Sequence, residues 1–150
     1  VGAVGLNDVI SGQNGHDIIF ASGGDDSVMG GADNDTMFGG VGDDIVNGEG
    51  GHDHIYGGTG ADTLTGGSGA DIFMFKPGSG ADIITDFNAS EDTLFLSAYS
   101  ERFNSLTELR AAGQLAVIDG EFGLLLNLGE GDQIFLAGIT SVNATLDITF

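Results

Sequence analysis

Eight aspartates stand nine residues apart in this chain: Asp8, Asp17, Asp26, Asp35, Asp44, Asp53, Asp62 and Asp71. The residues around them are rich in glycine, 28 in a chain of 150, and there is no Cys. One carboxylate per turn, set among backbone carbonyls that glycine leaves uncovered, is the donor set of a hard cation. Ca²⁺ accepts about six to eight oxygen ligands at roughly 2.3–2.6 Å in flexible geometry. Zn²⁺ would ask for Cys or His, and Mg²⁺ would keep most of its waters.

The elements that must position these groups follow from the same spacing. Residues 3–74 divide without a gap into eight nonapeptides, starting at Ala3, Gly12, Ala21, Gly30, Gly39, Gly48, Gly57 and Gly66. Asp is sixth in each block, and the eighth residue is always apolar: Ile10, Ile19, Val28, Met37, Val46, Ile55, Leu64 and Phe73. Biased composition supplies many Gly and Asp, but it does not hold two chemistries in phase through eight units. The six Gly-rich residues of a block predict a turn with left-handed conformations, and the three that follow predict a short strand with one inward side chain. Two blocks make one coil, so each block stacks on the next but one at a spacing of about 4.8 Å. The fold class is all-β: a parallel β-roll over residues 1–74, with residues 75–150 as a β-rich C-terminal cap.

Stacking brings each sixth-position carboxylate close to its equivalent one coil away. Two unit charges about 4.8 Å apart repel by roughly 0.9 kcal/mol in water and about 3.5 kcal/mol at an effective dielectric near 20. Residues 3–74 hold 12 acids and no Lys or Arg. A divalent ion in each inter-turn site, about six ions in all, would neutralise them. Without a counterion these repeats are expected to be largely unfolded.

The best blocks, Gly39–Asn47, Gly57–Thr65 and Gly66–Met74, read G-G-x-G-x-D-x-U-x, with U apolar. In this they resemble the RTX (repeats-in-toxin, hemolysin-type) calcium-binding repeats. Residues 66–97 resemble the segment where such repeats enter the C-terminal region of serralysin-type proteases. The resemblance implies an ion held by the first, third and fifth carbonyls of one turn together with the second and fourth carbonyls and the sixth-position carboxylate of a stacked turn. Carried over, Asp26, Asp35, Asp44, Asp53, Asp62 and Asp71 are carboxylate ligands, with Gly40, Gly42, Gly58, Gly60, Gly67 and Gly69 among the carbonyl donors. Asp8, Asp17 and Asp82 extend the set. Ala3, Val4, Leu6, Gln13, Ala21, Ser22, Asp33 and Glu49 depart from glycine inside the turns, where the carbonyls survive the change but the turn conformation is put under strain. His16 and His52 occupy fifth positions, where the side chain points to solvent. His52-Asp53-His54 has the residue types for a transition metal, yet each His has an ordinary place in the repeat.

After Met74 the phase breaks, and all three basic residues appear: Lys76, Arg102 and Arg110. Open roll ends expose strand edges, so a terminal cap is expected here. Strands are predicted at Asp82–Phe87, Thr93–Leu96, Leu115–Ile118, Phe122–Leu128 and Gln133–Ala137, with a turn at Asp119-Gly120. Ser105-Leu106-Thr107-Glu108 is a capping box that predicts a short helix ending at Gly113. Asp147-Ile148-Thr149-Phe150 resembles the acidic-then-apolar ending of type I secretion substrates, and a last edge strand would read the same way.

The formal net charge of −20 excludes nucleic acid as a partner. No apolar run is long enough to span a membrane. Catalysis finds no support: H-E-x-x-H and Cys are missing, and Gly66-Gly67-Ser68-Gly69-Ala70 lacks the last Gly of G-x-S-x-G. The chain starts without an initiator Met or signal peptide and reads as a piece of a longer protein. The expected function is that of a calcium-binding C-terminal module of a larger secreted bacterial protein. It would pass the type I secretion machinery unfolded and fold outside the cell or at the cell surface. The alternatives are a Ca²⁺-stiffened segment of a surface or biofilm adhesin, and a polysaccharide-binding R-module like those of alginate epimerases.

Overall fold

The alternation of an inward apolar residue with a carboxylate two places before it produces two stacks of parallel strands that share one thin core. The computed structural model describes residues 5–99, 113–118, 120–139 and 147–149. Among these there is no helix. The segment in which the capping box predicted one lies outside the described residues.

One sheet takes alternate blocks of the repeat: β1 (Val9–Asn14), β3 (Ser27–Ala32), β5 (Ile45–Gly50), β7 (Thr63–Thr65) and β9 (Ala81–Ile84). The facing sheet takes the others: β2 (Ile18–Gly23), β4 (Thr36–Val41), β6 (His54–Thr59), β8 (Ile72–Phe75) and β10 (Thr93–Leu96). Pairing is parallel and spans one coil of two nonapeptides, as in Ile10 opposite Val28, Val28 opposite Val46, and Met37 opposite Ile55. The first sheet continues through an antiparallel meander of β11 (Gly113–Ile118), β12 (Glu121–Gly129) and β13 (Asp132–Ala137), with β13 parallel to β9. The last strand, β14 (Asp147–Thr149), pairs parallel with β10 and closes the second sheet as an edge strand.

The strands differ in length from the sequence expectation. β1 to β6 each run six residues, because the ladder continues past the inward side chain into the first three residues of the next turn. In the second to eighth blocks, left-handed backbone is confined to the second and fourth turn positions, for example Gly40 and Gly42 at φ 125° and 133°. Gln13, Ser22 and Glu49 keep that conformation at the second position (φ 75°, 90° and 69°), and Asp33 keeps it at the fourth (φ 76°). These four departures from glycine are thus accommodated in the same turn, whereas in the first block Gly5, at the third position, is left-handed and Leu6, at the fourth, is not. In the cap, β9 stops at Ile84, short of the expected Phe87, because Asp86 turns back to accept the amides of Gly66 and Gly67 at 2.9 and 2.8 Å. Phe87 then packs into the core against Phe73, with ring centroids 5.9 Å apart.

The core is a single file of the eighth-position side chains, with Val28, Met37, Val46, Ile55, Leu64 and Phe73 all buried. It continues into the cap as Ile84, Leu94, Leu124, Leu126 and Ile134. A file one side chain wide leaves no second layer to relax into a cavity. Leu64→Ala, at a fully buried position, should therefore cost about 2–5 kcal/mol. Ile45→Ala on the outer face, where the side chain is 57% exposed, should stay within about 0.5 kcal/mol. Urea unfolding in excess Ca²⁺ measures both, and equal losses would mean that the core does not lie between the sheets.

Candidate metal centre

The repeated Asp builds two ladders along the roll. In the first, the Asp8 amide donates to Oδ1 of Asp26 at 2.7 Å, Asp26 to Asp44 at 2.8 Å, Asp44 to Asp62 at 2.9 Å and Asp62 to Asp82 at 3.0 Å. In the second, Asp17 donates to Asp35 and Asp35 to Asp53, both at 2.8 Å, Asp53 to Asp71 at 2.9 Å and Asp71 to Asp92 at 3.0 Å. From Asp26 and Asp35 onward, each carboxylate is thereby fixed by one oxygen. The other oxygen, Oδ2 of Asp17, Asp26, Asp35, Asp44, Asp53, Asp62 and Asp71, is buried with no hydrogen-bond partner among the described residues. A buried charged oxygen without a partner costs more than the roughly 1–3 kcal/mol of a neutral one, so seven of them call for a cation.

The space beside each orphan oxygen is also defined. A Cβ built on the first glycine of a turn would lie 2.7 Å from Asp17 Oδ2 at Gly12, 2.6 Å from Asp35 Oδ2 at Gly30 and 2.5 Å from Asp44 Oδ2 at Gly39. The carbonyl oxygen of the next coil's first residue points into the same place, that of Gly57 beside Gly39 and that of Gly66 beside Gly48. The carbonyls of Gly40, Gly42 and Gly60 aim toward the coil above, at Gly58, Gly60 and Gly80. Gly58, Gly67 and Gly69 hold the same left-handed positions, at φ 123°, 95° and 128°. Among the described residues, no three His, Cys, Asp or Glu side chains gather into a metal cluster. An ion in these turns must therefore take most of its ligands from the backbone, which suits Ca²⁺ and does not suit Zn²⁺.

The outer ladder is formed by fifth-position side chains. Asn34 donates its amide to His16 Nδ1 at 3.0 Å, His52 donates its amide to Asn34 Oδ1 at 2.9 Å, and Ala70 donates to His52 Nδ1 at 2.8 Å. His16 and His52 are solvent-facing, as expected, and they also carry turn-to-turn hydrogen bonds.

Three acids escaped the sequence reading. Asp92 continues the second column into the cap, whereas β13 sets Ile134 opposite Asp82, and Asp132 lies two residues earlier, accepting the amides of Gly78 and Gly80, each at 2.9 Å, and the Tyr99 hydroxyl at 2.8 Å. Asp86 clamps the last Gly-rich turn. The signal for the first two was present, since Asp92-Thr93-Leu94 and Asp132-Gln133-Ile134 repeat the D-x-U triplet without the glycines before it.

Burial, reinforced by the carboxylates stacked on either side, pushes Asp44, Asp53 and Asp62 up from 3.8 to about 6, against the lowering effect of their amide hydrogen bonds. Asp71 and Asp92 move upward for the same first reason. Asp82, buried and facing Asp62 and Asp132, rises to about 8.

The family model of the RTX calcium-binding nonapeptide repeat matches residues 3–37 and 38–73, as four copies. The repeat region is an RTX calcium-binding region. No curated protein matches the chain. Among solved structures, the RTX roll and its cap are similar to the AlgE6R3 subunit of the mannuronan C5-epimerase from Azotobacter vinelandii. That similarity has 26% identity and a TM-score of 0.59, over 91% of this chain and 81% of that one. The AlgE6R2 subunit of the same enzyme is also 26% identical, over 99% and 94%, with a TM-score of 0.43. RTX β-roll modules are structural calcium-binding units, and the carbonyl-rich turns found here agree with that role.

A raised carboxylate pKa in the folded state means that the metal-free roll holds protons that the unfolded chain releases. The stabilisation is fully present below about 3.8 and lost as pH rises through about 6. In excess chelator, far-UV circular dichroism should show more β structure near the acid end of that window than at neutral pH. Ca²⁺ affinity should fall over the same interval as protons compete. A chelated protein with the same spectrum across the window would contradict the buried-carboxylate account.

Proposed function

We propose that the module is a calcium-triggered folding unit. Residues 1–74 form the ion-binding roll, and residues 75–150 the cap against which it stacks. About six Ca²⁺ ions lie between stacked turns. Asp26, Asp35, Asp44, Asp53, Asp62 and Asp71 each direct Oδ2 at an ion, Asp8, Asp17 and Asp82 serve the end coils, and the carbonyls of Gly40, Gly42, Gly58, Gly60, Gly67 and Gly69 complete the shells. The row of buried, unpartnered Oδ2 atoms supports this reading most directly. The parent is a larger secreted bacterial protein. Its chain stays unfolded at low intracellular Ca²⁺, passes a type I exporter, and folds outside, where Ca²⁺ is abundant.

The similarity to the epimerase subunit supports a second reading, in which the module accompanies an enzyme that acts on polysaccharide. With a net charge of −20 and 3 Lys and Arg in the chain, contact with an anionic glycan would run through bridging Ca²⁺. Retention on immobilised mannuronan in Ca²⁺ but not in chelator is the expected sign. Equal retention, or none, under both conditions removes that reading.

Circular dichroism against free Ca²⁺ at neutral pH, with Mg²⁺ as control, tests the folding unit. The expected result is a cooperative rise in β signal with Ca²⁺ alone, with a midpoint of about 0.1–1 mM. Full β structure in excess chelator would overturn the proposal. Asp53→Asn should raise the midpoint severalfold by removing one carboxylate from the column. Asp25→Asn, at an exposed fifth position, should leave it within about twofold.

A further inference from the structure

The outer face of the second sheet carries a ladder unrelated to metal. The ninth residues of alternate blocks are Phe20, Phe38, Tyr56 and Met74. Phe20 stacks on Phe38 with centroids 4.7 Å apart and planes 3° apart, and Phe38 on Tyr56 at 4.4 Å and 20°. At the next rung the ring is replaced by the thin thioether of Met74, and the rung after that is Phe95, which pairs with Met74 in register. A groove of about 430 Å³ opens at this break, between Tyr56 and Phe95 and over Met74. Two rungs at about 4.8 Å separate Tyr56 from Phe95 by roughly 9.6 Å. A flat ring placed midway would lie about 4.8 Å from each, close to the spacing the stack already uses.

The groove also has a cationic end. Lys76 lines it, is solvent-exposed, and is the sole Lys or Arg among the described residues. The other polar groups on the wall include Ser97 and Ser79, and the Ser79 hydroxyl already donates to the Lys76 carbonyl at 2.8 Å. So sparse a polar lining cannot satisfy the hydroxyls of a sugar ring, each of which needs its own partner. A polyanionic chain would be repelled by the rest of the protein, whose formal charge of −20 falls only to about −8 with about six Ca²⁺ ions bound. One negative charge on an otherwise apolar, planar body meets both constraints.

We infer that this groove binds a small planar aromatic monocarboxylate, its ring stacked on Tyr56 above Met74 and its carboxylate at the Lys76 ammonium. The three methionines give a direct readout. Met74 lies in the groove, Met29 on the outer face of the opposite sheet, and Met37 in the core. The full chain, Met-methyl labelled and saturated with Ca²⁺, is titrated with 2-naphthoate and followed by NMR. The expected result is a saturable upfield shift of the Met74 methyl with a dissociation constant of about 1 mM or tighter, while Met29 and Met37 stay in place. Lys76→Met, its fold checked by circular dichroism, should weaken binding about fivefold. The uncharged 2-naphthalenemethanol should bind wild type about fivefold more weakly than naphthoate does, and should bind both proteins equally. No saturable shift at Met74, an equal shift at Met29, or binding of decanoate or mannuronate oligomers as tight as that of naphthoate would each overturn the inference.

Discussion

The repulsion and desolvation of carboxylates stacked one coil apart govern this molecule. Asp26, Asp35, Asp44, Asp53, Asp62 and Asp71 are each buried, held through one oxygen by the amide of the Asp one coil before and left with a second oxygen that no described protein group serves. Hydrogen bonding sets the geometry of the column but does not neutralise it. Charge must be supplied from outside, by protons at low pH or by a divalent ion near neutrality, and the core is too narrow to substitute for either. In the proposed folding unit, metal binding and folding are one equilibrium, because the site exists only when the turns are stacked and the stacked carboxylates need the ion.

Glycine makes the stacking sterically possible. Adjacent coils approach so closely that a Cβ at Gly58 would collide with the carbonyl of Gly40, and one at Gly60 with that of Gly42. The first-position glycines serve a different purpose, keeping clear the space into which Asp Oδ2 and a carbonyl from the next coil both point. Gln13, Ser22, Asp33 and Glu49 show that the left-handed conformation itself is tolerated by other residues, at about 1–2 kcal/mol each. All but Glu49 lie in the first four blocks, so the strain concentrates toward the N-terminal coils.

The period, the handing of alternate blocks to two sheets, the inward file and the Asp columns were legible because a nine-residue register constrains two chemistries at once. What stayed hidden lies where that register relaxes. Asp82 and Asp92 meet their partners across 20 and 21 residues in place of 18, so phase alone could not align Asp92 with Asp71. Asp86 escaped because its role, clamping two amides of the last Gly-rich turn, depends on a chain reversal that no periodicity encodes. The six-residue length of the strands is not legible in the sequence, because glycine there signals turn. The backbone in fact keeps pairing through the second and third turn positions, as in Gly40 opposite Gly58 and Val41 opposite Thr59. Met74 is only the last residue of the last block in sequence, and the ring stack of Phe20, Phe38 and Tyr56 is what shows that it interrupts an aromatic series.

The roll also has an unusual relation between sequence length and physical length. Each coil packs eighteen residues into about 4.8 Å of axial advance, whereas the same eighteen residues drawn out would span roughly 60 Å. Release of one coil lengthens the connection between its neighbours by about 55 Å, more than tenfold. In the proposed calcium-triggered unit, a chain that is drawn out while its ions are absent and a stub of a few tens of ångströms once they bind would make ion concentration a control over distance. The two ends of the roll would be brought together when calcium arrives and let out when it leaves.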